Sequence, residues 1–320
     1  MTKGVRTLRY IKELHEGENL SEIYFCKTKI VAKTKTDKTY YSLTLQDKTG
    51  TIDAKVWNLS NGIDHFEPHD YIYIDAQVTS FNNQLQLNVS RIRKAREGEY
   101  AVDDYMPCSP YKVEEMYDAL LRLIATVENP HLHQLLSGLF LEDAKFADDF
   151  KRHSAAKSVH HGFIGGLLHH SLFVAKTCEF LAGQYPVLNR DLLITAAILH
   201  DIGKLREISD FPENDYSDEG QLLGHIVIGA MWIGERCDAI EGFPKKLRDE
   251  LIHCILAHHG EFEFGSPKKP AIIEALALSF ADNMDAKIET FSEFLSANEE
   301  TSGWLGFNRL LDSNVRKTES

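Results

Sequence analysis

Two periodicities divide the chain. From residue 21 to residue 92 apolar and polar positions alternate with period two, and the apolar ones are rich in β-branched and aromatic side chains. That is the signature of half-buried strands. The segments SEIYFCKTKIVAKTK, TYYSLTLQ, TIDAKVW, DYIYIDAQVT and LQLNVSRI predict five of them. Residues 47–50 (DKTG) and 81–84 (FNNQ) supply hairpin turns. The irregular stretch NLSNGIDHFEPH separates the third strand from the fourth. Five strands in about 75 residues, with an excursion after the third, fit a small OB-type barrel.

The alternation stops at residue 96. Residues 97–111 are acidic, contain two prolines and show no period, which predicts a linker. Beyond it the apolar positions recur at helical spacing through VEEMYDALLRLIATVE, HLHQLLSGLFL, GGLLHHSLFVAKTCEFLAGQY and DLLITAAILHDIG. The same spacing continues through LLGHIVIGAMWIGERC, KKLRDELIHCILAHH and AIIEALALSFADNMDAKIETFSEFL. The expected fold is therefore an all-β OB-type barrel over residues 1–96, followed by an all-α bundle over residues 112–295. Residues 296–320 are weakly patterned and are expected to fray or dock loosely.

Charge sharpens this division. The 320-residue chain carries a formal net charge of −13, which taken whole argues against a polyanionic partner. Residues 1–96, however, hold 15 Lys+Arg against 11 Asp+Glu, and residues 97–320 hold 20 against 37. A barrel of net +4 thus precedes a helical segment of net −17. By alternation Leu43, Leu45, Ile52, Ala54 and Val56 point into the barrel, while Tyr40, Lys55, Trp57 and Tyr73 face outward with Gln86 and Asn88. Aromatics among lysines on an OB face suit sequence-tolerant single-strand binding. The competing reading is that Trp57 and Tyr73 cover a barrel end or a domain interface.

Other classes are excluded by composition. No apolar run approaches the ~18 residues of a membrane span, and the first residues lack a signal-peptide core. The five cysteines are odd in number, scattered and without a CxxC pair, so neither a disulfide framework nor a zinc ribbon is expected. A reduced cytoplasmic protein with buried thiols is the simplest expectation.

Histidine stands out. Ten of the fifteen lie between His153 and His259. His170 follows GGLL, His200 and Asp201 follow LLITAAIL, and His225 sits inside LLGHIVIGAM. His258 and His259 end LIHCILAHHG, and Asp282 interrupts ALALSFADNMDA. One histidine on an apolar helix is an ordinary hydrogen-bonded core residue. Five apolar helices that each bury an imidazole or carboxylate would be costly unless the groups share a partner. Imidazole with carboxylate and no thiolate favours Mn²⁺, Fe²⁺, Mg²⁺ or Zn²⁺, and aspartates allow two ions to be bridged.

The order His170, His200-Asp201, Asp282, with HDIGK at its centre, resembles the HD-domain metal-dependent phosphohydrolases. His225 and the pair His258-His259 resemble the additional ligands of members that hold two metals. The OB-like segment, AAKSVHHGFIGGLLHHS and LAHHGEFEFGSPKKP extend the resemblance to the YhaM-type 3′-to-5′ exoribonucleases over roughly residues 8–294. One departure is His169, where that family usually has glutamate; His169 and His170 both remain candidates, with position favouring His170.

The resemblance implies hydrolysis of single-stranded RNA, and potentially single-stranded DNA, from the 3′ end to nucleoside 5′-monophosphates. It implies two divalent ions per chain, Mn²⁺ foremost, with Mg²⁺, Co²⁺, Fe²⁺ or Zn²⁺ as alternatives. Asp201 would bridge them; His170, His200 and Asp282 would complete one site, and His225, His258 and His259 the other. Which of His258 and His259 binds directly is left open. Lys204 would reach a phosphate oxygen, or else face solvent at a helix end. His160 and His161 would contact the scissile phosphate or protonate the leaving oxygen, or else start a helix. Lys268 would meet the substrate backbone, or else be an exposed loop lysine. Asp285 is either a solvated neighbour of Asp282 or a partner behind the ligands, and His253 lies off the ligand face. Two alternatives stand beside the exoribonuclease: an HD hydrolase of a small nucleotide with a regulatory or assembly barrel, and a non-enzymatic single-strand-binding protein. Trp304, Leu305 and Phe307 are candidates for a homo-oligomer contact.

Overall fold

The computed structural model describes residues 8–34, 36–59, 62–82, 84–106, 109–157, 162–211, 213–296, 298 and 301–318. The chain separates into two compact units, Met1–Cys108 and Ser109–Ser320.

The first unit is a closed barrel of β1 (Asn19–Lys33), β2 (Thr39–Asp47), β3 (Gly50–Val56), β4 (Tyr71–Phe81) and β5 (Gln84–Lys94), in the order β1-β2-β3-β5-β4. The β3–β5 pair is parallel and the others are antiparallel. β1 serves two neighbours: its first half pairs with β4 and its second with β2, with a register shift between Cys26 and Thr28. Such a bulge bends a long strand and lets a small barrel close. Leu43, Leu45, Ile52, Ala54 and Val56 are buried, as the alternation requires, together with Tyr24, Ile72, Ile74, Leu87 and Ile92. Phe66, from the irregular stretch before β4, is also fully buried.

The boundary between the units falls inside the stretch read as a linker. Tyr100 stacks on Tyr71 at 3.9 Å between centroids, Tyr105 meets the same ring edge-on, and Gln46 donates to the Tyr105 carbonyl at 3.1 Å. Residues 100–106 thus cover the barrel, with Tyr105 and Met106 buried.

The second unit is helical: α1 (Val113–Ile124), α2 (Pro130–Ser137), α3 (Ala144–Arg152), α4 (Gly166–Gln184), α5 (Arg190–Leu199), α6 (Lys204–Glu207), α7 (Asp218–Asp238), α8 (Lys245–Ala257) and α9 (Ile273–Ser296). Side-chain caps start several of these helices. Asn129 accepts from two backbone amides at the start of α2, Asp143 caps α3, Asn189 caps α5 and Ser217 caps α7. α3 was not among the expected helices. It is short, but Phe146 and Phe150 are buried from it against Phe140, and Phe146 also packs on Trp232. Residues 192–199 of α5 are all buried, which is why LLITAAIL reads as a continuous apolar run.

Part of the tail is regular rather than frayed. Trp304–Asn308 (β6) and Ser313–Arg316 (β7) form an antiparallel hairpin with Val315 buried. Strands this short offer too few alternations to register as a period. Cys26, Cys178, Cys237 and Cys254 are buried free thiols. Burial pushes the first three up to about 12, so they are inert at neutral pH. Among the described residues no helix is long and apolar enough to cross a membrane.

Candidate metal centre

The helical unit brings His170 from α4, His225 from α7 and Asp282 from α9 together with His200 and Asp201, just past α5, and His258 and His259, just past α8. One close approach and one kink make this possible. A Cβ on Gly203 would lie 2.0 Å from the His225 carbonyl oxygen, so only glycine lets the turn after Asp201 touch α7. α7 itself is interrupted at Gly224, whose φ of 72° and ψ of 154° turn the chain immediately before His225.

The Nδ1 atom of each imidazole is already engaged. His200 bonds the Ala197 carbonyl at 2.8 Å, His258 that of Ile255 at 2.7 Å and His259 that of Phe264 at 2.8 Å. His225 bonds Glu207 Oε1 at 3.0 Å, and His170 bonds Asp285 Oδ2 at 2.7 Å. A carbonyl only accepts, so in His200, His258 and His259 Nδ1 carries the proton. Their Nε2 lone pairs are left facing inward, the arrangement that prepares histidine for a metal.

Asp201 sits between two groups. Its Oδ2 is 3.4 Å from Nε2 of both His170 and His200, while its Oδ1 is 3.5 Å from His225 Nε2 and 3.8 Å from His258 Nε2. Asp282 Oδ1 completes the first group, 3.1 Å from His170 Nε2 and 3.8 Å from His200 Nε2. Asp201 Oδ1, His225 Nε2 and His258 Nε2 are buried without a hydrogen-bond partner. Orphaned polar atoms of this kind are costly unless a cation meets them. The oxygen and nitrogen donor set therefore fits a divalent metal ion.

Protonation follows the geometry. Burial raises Asp201, but the Lys204 ammonium and the neighbouring imidazoles outweigh it and hold the carboxyl well below its usual range. Burial likewise opposes charge on Lys204, yet Asp201 at 2.8 Å keeps it an ammonium. Burial would neutralise His170, but the carboxylates of Asp282, Asp285 and Asp201 prevail and push it up to about 10, a positive charge whose place a cation at Nε2 would take. Burial and the repulsion of His259 and His200 push His258 well down, so it is a neutral donor.

His258 Nε2 lies toward Asp201 Oδ1, and His259 stands with His225 and His258 in one group whose donor atoms lie within 4.8 Å of one another. His170 lies in the cluster, whereas His169 is buried among the rings of Tyr111, Phe163 and Phe173. Asp285 reaches behind His170. His253 accepts from the backbone of Ala271 at 2.9 Å, away from the ligands. Glu207 was not singled out from the sequence; it lies in a four-residue helix, too short to show a period. Its only sequence cue was its place three residues after Lys204. Lys268 is an exposed loop residue whose amide bonds the Leu256 carbonyl. His160 and His161 lie outside the described residues.

The cluster opens into a cavity of about 260 Å³ whose lining includes His170, Asp201, Lys204, His258, His259, Asp282, Ala155, Ala156 and Phe264. Ala155 and Ala156 form part of its wall, and their segment is latched on either side. Asn214 donates to the carbonyls of Ala156 and Lys157, and His153 Nε2 lies 2.8 Å from the Lys204 carbonyl.

On the barrel, Tyr40 and Trp57 stack at 4.6 Å between centroids, with Trp57 43% exposed. Lys55 stands beside them, its Nζ donating to Ser42 at 2.6 Å across the β2–β3 pair. Tyr73 does not join this group. It lies on β4, which pairs with β1 and β5, and the Arg93 guanidinium covers its ring at 4.5 Å.

Residues 167–287 match the HD domain family and residues 27–95 match the OB-fold nucleic acid binding domain family. The chain is 34% identical over 283 residues to the 3′-5′ exoribonuclease YhaM of Geobacillus sp. (strain WCH70), covering 87% of this chain and 86% of that protein. Among solved structures, the HD domain of the L. monocytogenes phosphodiesterase PgpH aligns at 19% identity over 51% of this chain and 75% of that one, with a TM-score of 0.28. The second OB-fold domain of replication protein A from Methanococcus maripaludis aligns at 19% identity over 29% of this chain and 100% of its own length, with a TM-score of 0.23. Both overlaps are too low to bear on function. The long relative and the two domain matches place the chain plainly: it belongs to the YhaM family of 3′-5′ exoribonucleases, an OB-fold nucleic-acid-binding domain followed by an HD domain.

Proposed function

We propose that the protein hydrolyses single-stranded RNA from its 3′ end to nucleoside 5′-monophosphates, using two divalent ions that share Asp201. The observation that carries this is the position of the Asp201 carboxylate, one oxygen toward His170 and His200 and the other toward His225 and His258. His170, His200, Asp201 and Asp282 would hold one ion; Asp201, His225, His258 and His259 would hold the other. Mn²⁺ is the foremost candidate on the family resemblance, and a donor set of imidazole and carboxylate without thiolate also admits Mg²⁺, Co²⁺, Fe²⁺ and Zn²⁺. Divalent ions bound there supply Lewis-acid charge that lowers the pKa of a water and neutralises phosphate oxygens of an in-line displacement.

The chain's own groups do the positioning. Asp285, Glu207 and the three backbone carbonyls lock the imidazoles, so little reorganisation accompanies substrate binding. Lys204 keeps its ammonium in the cavity wall and is placed to neutralise a non-bridging phosphate oxygen. His160 and His161 follow the cavity-lining Ala155 and Ala156 in sequence and are assigned to the scissile phosphate or the leaving oxygen. Tyr40 and Trp57 offer a stacking surface and Lys55 a phosphate contact for a single strand bound by the barrel.

The test is a 5′-labelled single-stranded RNA with a free or a blocked 3′ end, incubated with Mn²⁺. A ladder that shortens from the free 3′ end, mononucleotide products and protection by the block are expected. Cleavage of mononucleotides alone would sink the proposal in favour of a small-nucleotide hydrolase. Replacing His200→Ala and Asp201→Ala together is expected to abolish turnover while leaving strand binding largely intact.

A further inference from the structure

The cavity has two chemically distinct parts. Its floor is charged, with Asp201, Lys204 and Asp282. One part of its rim is aromatic: Phe264 lines the cavity, yet its residue is 64% exposed. A lone exposed phenylalanine is unremarkable in itself. Phe264 differs because its backbone is tied to the metal centre. Its carbonyl receives the Nδ1 proton of His259 at 2.8 Å, so the turn that carries the ring also orients a ligand imidazole.

That turn is held firmly. Phe262–Phe264 is a single 3-10 turn closed by Gly265 at a φ of 83°, a conformation that favours glycine. Behind it the buried Ser266 hydroxyl, with its one proton, lies 2.7 Å from the Lys268 carbonyl and 3.1 Å from that of Leu256, which ties the loop to α8. The turn therefore holds Phe264 at the same cavity as the charged residues, and the residue stays largely exposed.

We infer that Phe264 is the platform on which the base of the 3′-terminal nucleotide stacks while its phosphate lies against the charged floor. The inference rests on the exoribonuclease proposal and names a substrate-positioning residue for it. A nucleoside 5′-monophosphate has an anionic end and a π-face: Lys204, with divalent ions that Asp201 and Asp282 would hold, suits the first, and Phe264 suits the second. Stacking is tolerant of base identity because every base offers a π-face, as removal of successive nucleotides from mixed sequences requires. A cavity of about 260 Å³ suits one nucleotide rather than a stack of several.

The probes are adenosine 5′-monophosphate and ribose 5-phosphate, titrated calorimetrically into the full chain with Mn²⁺. The wild-type protein is expected to prefer the nucleotide by roughly 10-fold, Phe264→Ala to lose that preference, and Phe264→Trp to retain it. In parallel, RNA ending in a 3′-abasic residue should lose its last residue more slowly than normal RNA in the wild-type protein, through KM, and at an equal rate in Phe264→Ala. Because the carbonyl of residue 264 is kept, metal content should be unchanged in both variants. An undiminished preference in Phe264→Ala overturns the inference, as does metal loss in Phe264→Ala that Phe264→Trp fails to restore. A Phe264-dependent preference without any RNA cleavage supports the platform and counts against the exoribonuclease proposal alone.

Discussion

Oε1 of Glu207 lies 3.0 Å from both the backbone nitrogen and Nδ1 of His225. One carboxylate thus holds the chain and the ring immediately after the kink at Gly224, and leaves His225 Nε2 directed at Asp201. Burial raises Glu207, but the bonds from His225 outweigh it, so the group stays ionised. Glu207→Ala is expected to weaken binding of the second divalent ion by about 10–100-fold, the usual effect of losing a partner behind a metal-binding histidine. Glu207→Gln, whose amide oxygen can still accept, should lose less. Calorimetric metal titration measures both, and an affinity in Glu207→Ala equal to wild type would reject the orienting role.

His153 sets an acid limit on stability. It is buried against the Lys204 carbonyl, and burial lowers its pKa although Asp210 pulls the other way. Its folded pKa therefore lies below the unfolded value near 6.5. The unfolded chain takes up the proton first, so the contribution is fully present above that value and is lost as the pH falls toward the folded pKa. His153→Gln can donate to the same carbonyl without titrating. Its melting temperature should fall less than that of the wild type between pH 7.5 and about pH 5; parallel curves would remove His153 from the acid transition.

The two glycines Gly203 and Gly183 make opposite predictions. A Cβ at residue 203 meets the His225 carbonyl oxygen at 2.0 Å and the Gly229 nitrogen at 2.8 Å, both of them backbone atoms. Gly203→Ala is expected to cost at least about 1–3 kcal/mol, the range for overpacking, and to disturb the second metal group. Gly183 lies within α4 and a Cβ there meets nothing within 4 Å. Gly183→Ala should stabilise by up to about 1 kcal/mol through helix propensity. Denaturant titrations compare them, and equal midpoints would refute the steric account.

Trp57 and Tyr73 separate two faces of the barrel. Trp57→Ala removes half of an exposed stacked pair and should weaken single-stranded RNA binding by about 1–3 kcal/mol. Tyr73→Ala should change affinity little, because Arg93 already occupies its ring. Fluorescence anisotropy with a labelled RNA tests the pair. A Tyr73→Ala loss as large as that of Trp57→Ala would move the strand to the β4 side.

Much of this protein was legible in its sequence. The change from period two to helical spacing marked a barrel and a bundle because each period reports which positions of one element are buried. The residues of the metal cluster stood out for a related reason: an imidazole or carboxylate in an apolar helix conflicts with its surroundings unless something compensates it. What the pattern could not convey is direction. Whether His169 or its neighbour entered the cluster, and which Asp201 oxygen met which imidazoles, depended on how helices far apart in sequence are rotated against each other. For His225 that placement follows from the kink at Gly224 and the contact at Gly203, local events with no periodic trace. The sequence by itself determined the two folding units and the imidazole and carboxylate chemistry of the buried cluster. Only the tertiary structure decided that Glu207 holds His225, that Asp285 holds His170 and that Tyr73 stands apart from Trp57, since hydrogen bonds and ring contacts join elements whose separate patterns do not refer to one another.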